Sequence, residues 1–227
     1  MRNDVTVIIP VYNGALYLAE CVASVLDQTL AASEVIIVDD GSEDATPDVA
    51  AALGGRVRYH RIPHGGLPYA RNAGIALVQT ELIAFVDSDD LWLPRKLELQ
   101  VAALAQAKPP AIIFGHLQQF VSPDLAPEEA ALLRASDAAI PGWLGSTLLM
   151  RKRDFELAGR FDESLALGEF IEWSSRARDA GIEQIMIPET VCRRRLHRAN
   201  MSRGMSSKQM QYAQMLKKVL DRRRGST

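Results

Sequence analysis

Short apolar runs alternate with helical patterns through the first half of the chain, and this alternation limits the possible folds more than any other feature. The predicted strands are residues 5–9, 34–40, 57–62 and 82–87, and the predicted helices are residues 15–28, 43–53, 68–77 and 94–107. Most of these strands are continuous runs rich in Val and Ile, which is typical of strands covered on both faces. The order of elements therefore predicts an α/β fold with a doubly wound, mainly parallel sheet and helices on both faces.

The second half of the chain is less regular. Its predicted strands are residues 111–116 and 143–150 with a closing pair at 182–188 and 190–196, and its predicted helices are residues 127–136, 151–159, 168–181 and 206–222. No internal repeat or low-complexity linker interrupts these segments. We therefore predict one domain over residues 1–200, divided into halves 1–110 and 111–200, followed by a basic helical tail over 201–227.

The composition is that of a globular protein with an uneven charge distribution. With 227 residues and 48% hydrophobic composition, the chain can bury a full core. The formal net charge of −2 argues against nucleic-acid binding, but from Arg193 onward eleven Lys and Arg stand against one acid, Asp221. We expect no nucleic-acid partner. The basic tail suggests docking on an anionic membrane or a homodimer contact, and we favour the membrane.

Two cysteines, Cys21 and Cys192, are too few and too far apart for a disulfide framework or a metal knuckle. They predict a reducing, cytoplasmic location. The N-terminus lacks the pattern of a signal peptide, and no apolar run approaches the length that spans a bilayer. Any membrane association is therefore expected to be peripheral, at the inner face.

Polar clusters follow three of the predicted strands: "PVYNG" at 10–14, "DDGSED" at 39–44 and "DSDD" at 87–90. One polar loop is ordinary, because loops are exposed. Three clusters at the carboxyl ends of parallel strands meet at one edge of the sheet, where ligands of such folds bind. The sequence therefore predicts a ligand site at this edge.

The third cluster places Asp87, Asp89 and Asp90 close together, where their charges repel one another unless a cation lies among them. Carboxylate oxygens are the ligands that Mg2+ and Mn2+ prefer, and such a cation would also bind phosphates. An alternative is that Asp89 or Asp90 caps the helix that begins near Pro94, which would account for one carboxylate.

Five motifs, in this order and spacing, resemble the inverting glycosyltransferases of family 2, which have the GT-A fold. The motifs are "VIIPVYNG", "VIIVDDGSEDAT", "GGLPYARNAGI", "LIAFVDSDDLW" and "GSTLLMRKRDFELAGRFDESL". The resemblance implies that residues 1–110 bind a nucleotide sugar, with UDP as the expected nucleotide, and that residues 111–200 bind an acceptor hydroxyl. The acceptor itself, a glycan, a lipid-linked molecule or a small molecule, does not follow from the sequence.

The resemblance also implies roles for individual residues. Asp87 and Asp89 would hold Mn2+ or Mg2+ that bridges the diphosphate. Asp39 or Asp40 would contact the base or ribose, and Arg71 the diphosphate or base, although a surface ion pair is the alternative for Arg71. The expected nucleotide-sugar-binding residues are Pro10, Tyr12, Asn13, Asp39, Asp40, Arg71, Asp87 and Ser88.

An inverting transfer needs a base that deprotonates the acceptor hydroxyl. Family members commonly carry it as the Asp of a Gly-Glu-Asp stretch, but this chain reads "GEFIEW" and has Phe170 at that position. Glu169 and Glu172 share a helix face, so either could be the base, and we favour Glu172. The alternative for the other is an acidic first helical turn that complements the helix dipole.

The stretch "RRRLHRANMS" resembles a family segment whose His is a third metal ligand in related enzymes, which implies this role for His197. The alternative is an ordinary surface or core histidine. The neighbouring arginines could neutralise the departing diphosphate, form a solvated face or bind anionic lipid.

Two other functions compete with transfer. One is a nucleotide-sugar-binding protein that is inactive or needs a partner, suggested by Phe170. The other is a nucleotidyltransferase, which should carry a basic residue soon after the first strand, whereas "PVYNGALYLAEC" has none. Trp143 and Trp173 are candidate platforms for stacking the acceptor sugar.

Overall fold

A mixed sheet organises the fold of this computed structural model, which describes residues 4–198, 200, 213 and 215–221. The strands are β1 Val5–Val11, β2 Glu34–Asp39, β3 Arg58–Arg61, β4 Leu82–Phe85, β5 Leu91–Trp92, β6 Ala111–Val121, β7 Ile140–Pro141, β8 Leu149–Arg151 and β9 Glu183–Leu196. The helices are α1 Ala15–Leu26, α2 Thr46–Ala52, α3 Leu67–Leu77, α4 Lys96–Gln106, α5 Pro127–Ala130, α6 Lys152–Ala158, α7 Glu169–Asp179 and a C-terminal helix α8 at 215–221.

The strand order is β3-β2-β1-β4-β8-β6-β9-β5, with β7 paired to β6. Pairs among β3, β2, β1 and β4 are parallel, β8 runs antiparallel to both β4 and β6, and β6 and β9 are parallel. The predicted α/β fold with a mainly parallel sheet is therefore confirmed. Because β1, β2, β4 and β6 run in one direction, their carboxyl ends lie along the same edge of the sheet.

Each face of the sheet packs against its own apolar core. Along β1, Val7 and Ile9 face the core that includes Leu18 of α1 and Leu97 of α4. Ile8 faces the other core, which contains residues of α3, α6 and α7. The alternation of side chains along a strand divides these residues between the faces, and both faces are covered, as the apolar runs predict.

Three predicted elements differ from the structure. Instead of a strand over 143–150, Gly145–Thr147 forms a short 3-10 turn before β8, because Ser146 and Thr147 are buried and bond to neighbouring loops. The helix predicted at 127–136 ends at Ala130. The predicted pair 182–188 and 190–196 is the single strand β9, which pairs with β6 in two registers separated by a bulge at His116.

The C-terminal helix α8 lies against the beginning of α7. Met215 is buried, and a Cβ placed on Gly168 would come within 3.2 Å of its side chain. The Lys218 ammonium donates to Asp162 Oδ2 and Ser164 Oγ, each at 2.6 Å. The predicted helix over 206–222 is thus helical where the structure describes it, and the rest of that prediction falls outside the described residues.

None of the helices in the described part of the chain combines the length and apolar character needed to cross a bilayer.

Candidate functional site at the carboxyl edge of the sheet

The three aspartates after β4 have different surroundings. Asp87 and Asp89 are half-buried, whereas Asp90 is buried and accepts a hydrogen bond from the Arg195 backbone N–H at 3.1 Å. Burial, together with the charges of Asp89 and Asp87, holds the pKa of Asp90 well above its usual range. No described side chain caps α4, and neither Asp89 nor Asp90 does so, so the capping interpretation is wrong. Asp87 and Asp89 remain as the carboxylates that can reach a ligand.

The structure brings His197 to Asp89, as the metal hypothesis requires. Their Nε2 and Oδ2 atoms are 2.8 Å apart, and Asn200 Nδ2 donates to the same oxygen at 3.2 Å. Asn200 Oδ1 also accepts from the His197 backbone N–H at 2.6 Å, which holds the segment in place. A carboxylate oxygen and an imidazole nitrogen, from residues 108 positions apart in sequence, therefore meet in the loop after β4.

Arg71 is buried at the centre of the site. One guanidinium nitrogen, Nη2, donates to Asp87 Oδ1 at 2.8 Å, and the other, Nη1, donates to Glu169 Oε1 at 2.5 Å. Burial alone would lower the pKa of Arg71, but the charges of Asp87 and Glu169 raise it. With its side chain only 3% exposed, Arg71 forms no surface ion pair, so that alternative is wrong. Its guanidinium joins the loop after β4 to the beginning of α7.

A close approach at Gly145 accommodates this guanidinium. A Cβ added there would lie 3.0 Å from Arg71 Nη2 and 3.4 Å from its central carbon. Gly145 begins the 3-10 turn that stands where a strand was predicted, and the next residue, Ser146, accepts a hydrogen bond from the Asp87 backbone N–H at 3.1 Å. The turn therefore positions both Arg71 and Asp87.

The two candidate bases have separate partners. Glu169 contacts Arg71, whereas Glu172 accepts from Arg176 Nε at 2.9 and 3.0 Å. Arg176 in turn bonds to backbone carbonyls near the end of α6 and beyond it. The structure therefore places Glu169 beside Arg71 and Asp87, and it holds Glu172 in a different network. Phe170, at the position of the family Asp, is buried with its ring centroid 6.2 Å from that of Phe114.

The first loop presents Tyr12 to solvent. Its ring is 45% exposed and stacks on His64, with centroids 4.1 Å apart. Asn13 adopts φ 50, a conformation that Asn tolerates, and its side-chain oxygen accepts from the Glu43 backbone N–H at 2.8 Å. Gly14 allows the loop to approach half-buried Ser88, since a Cβ there would be 3.1 Å from its Oγ.

Pro10 is buried and paired within β1, so the open surface of this loop is formed by Tyr12 and Asn13.

The carboxylates after β2 hold the neighbouring loops. Asp39 is fully buried and accepts from the Ser42 backbone N–H at 2.8 Å and from the Tyr59 hydroxyl. Asp40 accepts from the backbone N–H groups of Gly65 and Gly66, each at 2.8 Å. Both carboxylates therefore hold the loops around them, and neither is an isolated group.

Several residues that build the site were not predicted in the roles that the structure gives them. Arg195 is buried, and it donates to the Asp89 carbonyl at 3.0 Å and to Ser122 Oγ at 3.2 Å. It is therefore neither a solvated face nor a lipid contact. Ser146 and Asn200 were also missed in these roles, because their partners lie 59 and 111 residues away. The only local signal was the position of Asn200 three residues after His197.

Known proteins resemble the chain in sequence and in fold. The family model described as glycosyl transferase family 2 matches residues 6–138. An uncharacterized glycosyltransferase of Rickettsia typhi is 34% identical over 172 residues, which are 71% of this chain and 54% of that protein. Glycosyltransferase GlyG of Streptococcus pneumoniae is 35% identical over 128 residues, which are 55% of this chain and 42% of that protein.

The fold is also found in solved structures. S. aureus TarS in complex with UDP-GlcNAc matches 95% of this chain and 65% of that chain, with a TM-score of 0.72 at 17% identity. This likeness confirms the predicted GT-A fold. The chain spans about half of the Rickettsia protein's length. Because the family model covers more than half of the sequence, from the first strand to beyond β6, the chain belongs to glycosyl transferase family 2.

Proposed function

We propose that the protein is a metal-dependent inverting glycosyltransferase that moves a sugar from a UDP-linked donor to an acceptor hydroxyl. The observation that carries the proposal is the chain of contacts from Glu169 through Arg71 to Asp87, beside the Asp89–His197 pair. It joins a candidate base to candidate diphosphate ligands at the edge where such sheets bind nucleotides. The proposal is supported by the fold shared with TarS, which has been solved with UDP and with UDP-GlcNAc.

The donor set of the site fits a divalent cation. Asp89 and His197 are 2.8 Å apart, with side chains 26% and 10% exposed, and a carboxylate with an imidazole suits Mn2+ better than Mg2+. No group of three His, Cys, Asp or Glu is assembled for a metal within the described residues. Asp87 and the substrate diphosphate would therefore complete the ligand set. When bound, the cation would neutralise charge on the departing diphosphate.

The donor would lie across the carboxyl edge of the sheet. The exposed Tyr12 ring offers a stacking surface for the base, next to the loops that Asp39 and Asp40 hold. Arg71 is engaged by two carboxylates, so its role is to orient Asp87 and Glu169 and to supply positive charge near the diphosphate. Ser88 faces the first loop and closes the cleft at Gly14.

Glu169 is the better candidate for the base. Its Oε1 binds Arg71, and no described residue donates a hydrogen bond to Oε2. That oxygen would take the proton of the acceptor hydroxyl while the hydroxyl oxygen attacks the anomeric carbon and UDP departs from the opposite side. Glu172 lacks this position, because its carboxylate is bound by Arg176.

The assignment of the base is tested by comparing Glu169→Gln with Glu172→Gln in a UDP-release assay over a panel of UDP-sugars. Removing a general base lowers kcat by about 10²–10⁴-fold. We expect this loss for Glu169→Gln with UDP affinity retained, because Gln can still accept from Arg71. We expect Glu172→Gln to keep most of the activity. The reverse pattern would assign the base to Glu172.

A second candidate function is nucleotide-sugar binding without transfer, unless a partner completes the site. The observation in its favour is the apolar Phe170, buried against Phe114 at the position where the family carries its Asp. UDP binding in the absence of any UDP release over the whole panel would favour this function.

The tail suggests where the protein works. Residues 201–227 contain seven Lys and Arg and one acid, a charge that favours an anionic membrane at the inner face of the cell. We expect sedimentation with vesicles that contain anionic lipid, reduced by salt, and no sedimentation with neutral vesicles. A stable homodimer in solution with no vesicle binding would instead favour the dimer contact.

A further inference from the structure

A pocket of about 280 Å³ lies between α7, α8 and the segment that precedes the 3-10 turn. Small-molecule sites typically enclose about 300–1,000 Å³, so this volume lies just below the small end of that range. Its lining is Trp143, Phe170, Ile171, Ser174, Ser175, Arg178, Gln184, Met215, Leu216 and Val219. None of the candidate donor-binding residues contributes to it.

The walls of the pocket are apolar and partly open to solvent. Trp143 is 48% exposed, Ile171 is 50% exposed and Leu216 is 54% exposed, and all three line the same pocket. Scattered apolar residues are ordinary on a surface, but a group that lines one concave site indicates a ligand with an apolar part. Phe170 and Met215 form the buried part of the lining.

Arg178 is the cation among the described residues that line the pocket. Arg178 donates to Gln184 Oε1 at 3.1 Å, and no carboxylate among the described residues lies within salt-bridge distance of it. Arg176, two residues earlier on α7, is by contrast bound to Glu172. An uncompensated guanidinium beside apolar walls matches a ligand that carries an anionic group next to a hydrocarbon part.

The pocket borders the proposed reaction site. Phe170 lines the pocket and directly follows Glu169 in α7. Trp143 lines it two residues before Gly145, where an added Cβ would lie 3.0 Å from Arg71 Nη2. A molecule that fills the pocket would therefore lie at the beginning of α7, one residue along the helix from the proposed base, and the donor edge of the sheet would stay free for the nucleotide.

We propose that this pocket binds the hydrocarbon part of an amphiphilic acceptor, with an anionic group of that acceptor at Arg178. The proposal rests on the proposed transferase function and names the class of its acceptor: an alcohol that carries an apolar chain next to a phosphate or carboxylate. The C-terminal helix α8 then belongs to the acceptor site, because Met215, Leu216 and Val219 form one of its walls.

Trp143 provides a direct readout. Of the three tryptophans, Trp92 is 3% exposed and Trp173 is fully buried, so an aqueous quencher reaches Trp143 first. The probe is dodecyl phosphate below its micelle concentration, added to the full chain while acrylamide quenching is measured. We expect saturable protection of tryptophan fluorescence by dodecyl phosphate and much weaker protection by dodecyl maltoside or inorganic phosphate. Equal protection by the neutral detergent would overturn the anionic part of the proposal.

Two variants and two matched controls locate the site. Arg178→Gln should weaken the affinity for dodecyl phosphate about tenfold, because the substitution removes the cation but keeps a polar side chain. Val219→Phe fills the pocket from α8 and should abolish protection. The controls, Arg153→Gln and Leu157→Ala, change a second depression formed with Pro109 and Pro110, where Arg153 is paired with Asp154. If the controls weaken binding as much as the test variants, or no protein shows saturable protection, the pocket is not the site.

Two further outcomes distinguish ligand binding in the pocket from self-association of the chain and from binding at the donor site. If acrylamide quenching of tryptophan fluorescence decreases with rising protein concentration in the absence of ligand, a second copy of the chain covers the pocket. That result would overturn the proposal. UDP titrated with Mn2+ reports on the donor site separately. We expect UDP to bind equally with and without dodecyl phosphate, and competition between them would contradict an acceptor site. Failure of UDP to bind while dodecyl phosphate does would reject the transferase function and leave the pocket.

Discussion

Lys96 shows how far a single residue can depart from its usual chemistry in this fold. Its ammonium nitrogen is buried 4.0 Å from the centroid of the Trp92 ring and donates to Gln100 and to the Leu148 carbonyl. Burial lowers its pKa to about 7. The unfolded chain, with an ordinary lysine pKa of about 10.4, therefore binds a proton between these values that the folded chain releases.

The free energy of unfolding therefore rises as pH increases from about 7 toward 10, because the unfolded chain binds more protons than the folded chain over this interval. We expect Lys96→Met to remove this dependence, which is worth on the order of a few kcal/mol of unfolding free energy. Urea denaturation at pH 7 and pH 10 measures this change in unfolding free energy. The substitution Lys108→Met, at an exposed lysine, is the control. An equal gain in the wild type and in Lys96→Met would show that Lys96 remains charged in the folded protein.

Residue types and spacing predicted part of the site, and the remainder depended on contacts between distant segments. The strand-end position of Asp89 and the motif around His197 predicted that these two residues belong to one site, and the structure brings them into contact. Helix periodicity put Glu169 and Glu172 on one face but could not distinguish them, because the choice depends on Arg71, 98 residues from Glu169. The burial of Asp90 likewise depends on β9.

At the scale of elements, the described contacts of α8 with residues 162–168 are the buried Met215 side chain and the Lys218–Asp162 ion pair. Asp162 is partly buried, which would raise its pKa, but hydrogen bonds from Lys218 and Ser164 outweigh burial and lower the pKa to about 2. The stabilisation from this contact is therefore present above the unfolded pKa of about 3.9 and is lost as pH falls through 2.

An NMR titration of the Asp162 carboxyl tests this contact. We expect a pKa of about 2 in the wild type, and a rise toward the ordinary value in Lys218→Ala. The neighbouring Lys217→Ala should leave the Asp162 pKa unchanged, because no described contact joins Lys217 to the acid. An unchanged titration in Lys218→Ala would show that α8 does not dock through this pair in solution.

Element prediction succeeded where apolar periodicity was continuous and failed where pairing decided the structure. The first four strands and their helices were found within a few residues. The strand β9 was predicted as two strands, since Pro188 divides it in sequence, yet Pro188 falls where β6 and β9 change register and needs no ladder hydrogen bond. The turn at Gly145–Thr147 looked like a strand, because its Ser146 hydroxyl bonds to Asp87, which is distant in sequence.

At the scale of the whole molecule, one sheet carries two regions that differ in strand pairing. The parallel half, β3 to β4, ends in loops built around carboxylates and the Tyr12 ring. The mixed half, β8 to β5, supplies Glu169 through α7 and His197 after β9. The alternation of elements predicted the first region closely. The second could not be predicted in detail, since its strands pair out of chain order.

The central claim is that the loop after β4 binds a nucleotide diphosphate through a divalent cation, and calorimetric titration of UDP into the purified chain tests it most directly. With Mn2+ present we expect one UDP per chain, no binding after chelation, and loss of binding in Asp89→Ala. The control Asp137→Ala changes an exposed acid whose known bond uses only its backbone carbonyl, and it should bind UDP as the wild type does. UDP binding that neither chelator nor Asp89→Ala weakens would contradict the claim, as would an absence of binding in the wild type.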